Sequence, residues 1–182
     1  MITSFTSSLA GRALPGSADN ITRLDDIALL DAGIIAHCKA LAPTGLAAAI
    51  NLGDCDPYDI RSAGHIERFV LALCDLIEMR RFGDPIIVRC GGNLWACGYS
   101  LAQLIETSLI SGHFAEQSKR ANIDIFSHTP YPPYRAAQFC RSWFGAATVR
   151  VSVTLRQAAG RGTGAISRAA IQQLARNAYP QP

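Results

Sequence analysis

The chain is short of lysine, of paired cysteine motifs and of long apolar runs, and acid is missing altogether from its last third. Only Lys39 and Lys119 are lysines. Cys38, Cys55, Cys74, Cys90, Cys97 and Cys140 include no C-x-x-C pair, so neither a zinc site nor a disulfide framework is signalled. Buried thiols are the plain reading of five of the six, with Cys97 set apart below. No apolar stretch reaches the roughly 18–20 residues of a membrane span, because the longest are interrupted by Asp, Glu, Arg or Pro. The opening MITSFTSSLAGRALPG lacks a basic segment followed by a solid apolar core, so no secretory signal is expected, and a cytoplasmic location away from the membrane is. Gly91-Gly92 lacks the Lys and Ser/Thr of a phosphate loop. Asp54 and Asp56, flanking Cys55 before Pro57, read as turn formers. No metal and no cofactor are expected.

What is present is a globular composition: 49% hydrophobic residues and a mean hydropathy of +0.15 over 182 residues. That is enough chain for one domain with a real core. Residues 1–20, rich in Ser, Gly and Ala, read as a loose arm, and 21–182 as a single domain. The net charge of +3 hides an asymmetry, because residues 129–182 hold seven Arg and no acid. This Arg-rich part suits an acidic partner surface, with a neighbouring subunit favoured over nucleic acid because basic runs and interleaved aromatics are lacking.

Apolar spacing predicts a helix through about Ala42, a buried strand at Leu46–Leu52 and a helix over 64–81, ended by Gly83-Asp84-Pro85. A strand at 86–90 enters the stretch CGGNLWACGYSLAQL, and the apolar residues beyond it predict a helix from Gly98 to Ser111. Such a strand-to-helix elbow places side chains where free N–H groups favour a developing anion. Residues 121–127 read as a short strand, Tyr131-Pro132-Pro133-Tyr134 as a rigid loop, 147–156 as a strand with one wet face, and 165–178 as a closing helix. His37, His65 and His113 read as surface or cap residues of helices or their edges. Strand and helix alternation to residue 128 predicts an α/β fold of βαβ units with a mostly parallel sheet and flanking helices.

Three segments, in order, resemble Clp-type serine peptidases of the Clp/crotonase superfamily: Ile50-Asn51-Leu52-Gly53, the elbow CGGNLWACGYSL, and Ala121-Asn122-Ile123-Asp124-Ile125-Phe126-Ser127-His128-Thr129-Pro130. The resemblance covers about residues 24–130, and the Ala-x-Gly-Tyr flavour of 96–99 is also similar to signal-peptide peptidase A. It implies repeated ββα units, a homo- or hetero-oligomer, and a peptide or protein substrate. It makes His128 the general base and the Cys97 amide and the Gly53 region the oxyanion donors, and it puts the nucleophile at Ala96. Alanine cannot attack. Three readings stand open: an engineered Ser-to-Ala trap, a natural inactive subunit that scaffolds or regulates, or a register in which Cys97 is the nucleophile. No acid follows Asp124 to orient His128. A crotonase-like acyl-thioester enzyme is a further alternative on the same fold.

Overall fold

The computed structural model describes residues 6–8, 24–90, 97–106 and 108–156. Strand β1 (Thr6–Ser8) is followed by helix α1 (Leu24–Leu41), strand β2 (Gly45–Gly53), a 3-10 turn at Asp59–Arg61 and helix α2 (Ala63–Leu76). Then come β3 (Ile86–Cys90), β4 (Gly98–Ile105), β5 (Ser108–Ala115), β6 (Arg120–Ser127), helix α3 (Pro133–Trp143) and β7 (Thr148–Arg156). The strands form one seven-stranded sheet in the order β1-β7-β2-β6-β5-β4-β3.

Every pairing in the sheet is antiparallel, which overturns the expected mostly parallel Clp/crotonase sheet of ββα units. The connections require it. Two residues link β4 to β5 and four link β5 to β6, whereas a parallel neighbour needs a crossover of roughly a dozen residues. The predicted helix over 98–111 is in fact the hairpin of β4 and β5. Leu101, Leu104, Ile105 and Leu109 fit a helical stripe, yet the alternation of buried Leu101, Gln103 and Ile105 is a strand's. Gly98 begins this hairpin because a Cβ there would collide with the carbonyl oxygen of Phe114 on the neighbouring strand.

Helix α2 stops at Leu76, short of the predicted 81. Glu78 takes a left-handed φ of 56°, and Met79 N–H returns to the Cys74 carbonyl at 2.9 Å, closing the last turn. Helix α3 was not foreseen: Pro133 suits a first helical position, and Ala136, Ala137 and Cys140 then recur on a buried face. Helix α1, β2, β6 and β7 lie close to their predicted positions. Of the arm at 1–20 the structure describes Thr6–Ser8, which pair with β7; the closing helix predicted at 165–178 lies outside the described residues.

The core lies between the helices and one face of the sheet. Ile50, Ile110, Ile123 and Val151 come from four neighbouring strands and are fully buried. Phe69 of α2 sits at their centre of aromatic packing, 4.7 Å from Phe144 and 6.0 Å from Phe139 between ring centroids, with Phe114 edge-on at 6.4 Å. Among the described residues no helix is long and apolar enough to cross a membrane.

Candidate functional site

The opposite face of the same sheet carries polar side chains, with exposed Ile86, Val88, Leu104 and Leu109 among them. Strand alternation sends every second side chain away from the helices, and antiparallel register lines those side chains up in rows. One row reads Val88, Ser100, His113, Asn122, Asn51 and Arg150, each directly opposite the next on β3, β4, β5, β6, β2 and β7. The adjacent row runs Ile86, Ala102, Ser111, Asp124, Ala49 and Ser152. Partial burial raises the Asp124 carboxyl above the ordinary carboxylate range.

Within the first row, Ser100 Oγ lies 3.2 Å from His113 Nδ1. Cys90, two residues beyond Val88 and therefore on the same face, brings its Sγ to 3.2 Å from Ser100 Oγ. All three residues are half-buried, so the chain Cys90–Ser100–His113 is shielded yet reachable. No described side chain takes His113 Nε2, which leaves that nitrogen for a bound molecule. A Ser–His pair of this kind can hold, give or accept a proton. Burial pushes the Cys38, Cys55 and Cys74 thiols up to about 11, and the Cys140 thiol higher still. Cys90 and Cys97 are the two half-exposed thiols. No group of three or more His, Cys, Asp or Glu among the described residues could hold a metal ion.

The residues singled out by the sequence are dispersed. Ala96 lies outside the described residues. Gly53 closes β2, and Cys97 precedes β4 at the same end of the sheet, where the Cys97 carbonyl accepts from Glu116 N–H at 3.2 Å. His128 follows β6 at the other end, roughly 25 Å away at the rise of about 3.3 Å per strand residue. Its Nδ1 pairs with the Thr44 carbonyl, and its ring meets Phe126 edge-on at 5.1 Å. Arg156 covers that same Phe126 ring at 4.3 Å. His128 shares the open face with His113 but stands roughly 20 Å along the strands from it. Cys97 instead shares the helix-side edge with Arg89, Tyr99 and Glu116. There Arg89 and Arg61 flank Glu116 at 3.3 and 3.5 Å.

Sequence reasoning passed over Ser100, Cys90 and His113. The signal was there: Gln103 and Ile105, then Ile110 and Phe114, alternate on either side of the polar sequence Glu106-Thr107-Ser108, and the β4–β5 hairpin sets Ser100 opposite His113.

A groove of about 200 Å³ between the three helices, lined by Ile27, Leu76, Arg135, Gln138, Phe139 and Ser142, is almost wholly apolar and carries no comparable chemistry.

The sequence model of one family, described as S-adenosylmethionine decarboxylase, matches residues 46–157, more than half of the chain and all of the strands from β2 to β7. Among solved structures, the adenosylmethionine decarboxylase from Aquifex aeolicus VF5 superimposes with a TM-score of 0.56 at 16% identity, over 67% of this chain and 98% of that one. At that identity the likeness speaks for the fold. No curated protein matches the chain. The family match overturns the Clp-type serine peptidase, whether trapped, inactive or dependent on Cys97, together with its hydrolase activity and its peptide substrate. The crotonase alternative and the non-catalytic scaffold on that fold fall with the antiparallel sheet. The catalytic roles assigned to Ala96, Cys97 and His128, and the oxyanion role of Gly53, rested on that resemblance.

Proposed function

The chain belongs to the S-adenosylmethionine decarboxylase family, and from this we propose that it is a lyase removing the carboxylate of S-adenosylmethionine, or of a molecule with the same α-amino-carboxylate head, as CO2. The observation that carries the reading is the bonded Ser100–His113 pair on the open sheet face, inside the matched segment. When the bond from Cα to the carboxylate breaks, its electron pair stays with the substrate. Stabilising that electron pair would need an electron-poor group, a chemistry that the twenty side chains do not themselves supply. A proton must then reach Cα. His113 is suited to deliver it: Nδ1 is held by Ser100, and no described side chain takes Nε2. The polar row leads from His113 through Asn122 and Asn51 to Arg150, offering hydrogen bonds along the bound molecule and a cation at the end of the row.

Assembly with further copies remains part of the proposal, supported by exposed Ile86, Val88, Leu104 and Leu109 on the open face, which together exceed scattered surface apolar residues. A cytoplasmic location is proposed likewise, supported by six unpaired thiols. The test is release of labelled CO2 from carboxyl-labelled S-adenosylmethionine, run beside a panel of carboxyl-labelled α-amino acids. Time-dependent release from one of them is expected; no release from any would overturn the reading.

A further inference from the structure

We infer that Cys90 is a positioning residue: acting through Ser100, it holds the His113 ring in the form that carries its proton on Nε2. The inference deepens the proposed decarboxylase reading, because a proton on Nε2 is what a donor facing the open side needs.

The argument starts from donor and acceptor strength. In the chain Cys90 Sγ, Ser100 Oγ, His113 Nδ1, each contact is 3.2 Å. A neutral imidazole nitrogen is the best acceptor of the three and a hydroxyl the best donor, whereas sulfur is weak in both roles. The Ser100 hydroxyl therefore donates to Nδ1. Its oxygen then has lone pairs to offer, and the thiol of Cys90 donates into one of them. Among the described residues the other acceptor within reach of Sγ, the Val88 carbonyl at 3.9 Å, is more distant. With Nδ1 accepting, the ring proton resides on Nε2.

Removing the thiol removes the second donor that reinforces this direction. Ser100 is then free to accept from Nδ1–H instead, and the ring presents a lone pair rather than a proton to the open face. Geometry supports a selected contact over a chance one. Cys90 is the last residue of the edge strand, and only the pairing of Val88 with Ser100 brings its side chain beside that hydroxyl.

Two readouts test this on the full-length protein. The first is the ring-nitrogen NMR signature of His113 at a pH where the ring is neutral, compared among wild type, Cys90→Ala and Cys90→Ser. Protonation on Nε2 is expected in wild type and in Cys90→Ser, whose hydroxyl also donates, with the Nδ1–H form appearing in Cys90→Ala. The second is steady-state decarboxylation: kcat should fall on the order of 10-fold to 100-fold in Cys90→Ala with KM unchanged, and recover in Cys90→Ser, as partners standing behind a functional group commonly require. An unchanged ring signature in a folded Cys90→Ala overturns the inference, as does a Cys90→Ser variant that behaves like Cys90→Ala. If the tautomer shifts as expected but wild type releases no CO2, the inference stands and the decarboxylase reading fails.

Discussion

The two faces of the sheet are made by the same strands and differ in nearly everything else. On β5, Ile110 and Phe114 point into the helices and are fully buried, while Ser111 and His113 point the other way and stay partly exposed. On β2 and β6 the division repeats: Ile50 and Ile123 inward, Asn51 and Asn122 outward. Period-2 alternation thus separates stability from chemistry one residue at a time. Substitutions on one face should register in folding and those on the other in turnover.

The largest expected effect is on the open face. His113→Ala should lower CO2 release by about 10²-fold to 10⁴-fold, the range for losing a general acid–base group. Its folding stability should change by less than about 1 kcal/mol, as for a half-exposed site. Turnover assay and urea denaturation on the same preparation check both halves. A variant that unfolds, or one that keeps full activity, breaks the division. Next is the covered face: Phe69→Ala, removing the ring on which Phe114, Phe139, Trp143 and Phe144 converge, should cost about 3–5 kcal/mol in the same urea experiment.

How far the sequence discloses this division varies by strand. The alternation of Val149, Val151, Val153 and Leu155 against Arg150, Ser152 and Thr154 makes β7 legible with its wet face. The β4–β5 hairpin is not legible in the same way. Its leucines and isoleucines recur at both two-residue and three-to-four-residue spacing, and the direction of the chain after Cys90 is settled by long-range pairing rather than by local propensity. That single misreading moved His113 from a sheet face to a helix edge and concealed Ser100 altogether. It also lent an elbow-like look to Trp95-Ala96-Cys97-Gly98, on which a nucleophile was then sought. The polar row could not be read from any one segment, because its members come from six strands and meet only through register.

On the covered side, one charged group interrupts the apolar layer. Asp31 of α1 is 4% exposed and caps α3, its two oxygens accepting from Tyr134 N–H at 2.8 Å and Arg135 N–H at 2.9 Å. Burial outweighs those bonds and raises its carboxyl from the usual 3.8 to about 6. A carboxyl that holds its proton more tightly folded than unfolded stabilises the fold below its unfolded pKa. That contribution is lost as pH rises to the folded value. Asp31 should therefore make the protein more stable at pH 4 than at pH 7 by up to about 3 kcal/mol, two pKa units at roughly 1.4 kcal/mol each. Urea midpoints across that range, compared with Asp31→Asn, isolate the group: the variant should lose this part of the pH dependence. An identical slope in both proteins would assign it elsewhere.

The smallest expected effect marks where the covered face meets solvent. Glu116 links Arg61 and Arg89 at 3.5 and 3.3 Å, yet the two arginine side chains are 55% and 59% exposed. Each pair gains little in a high dielectric, and holding long side chains in place costs entropy. The Glu116 side chain, 13% exposed, raises the stake only in part, since a neutral amide there loses both ion pairs but also sheds the cost of a partly desolvated charge. Glu116→Gln should therefore lower stability by less than about 1 kcal/mol in dilute buffer. At 1 M salt, where screening acts over about 3 Å, the difference should shrink towards zero. A loss of 3 kcal/mol or more, insensitive to salt, would show that this edge behaves as core, and the boundary between the two faces would have to be redrawn to include it.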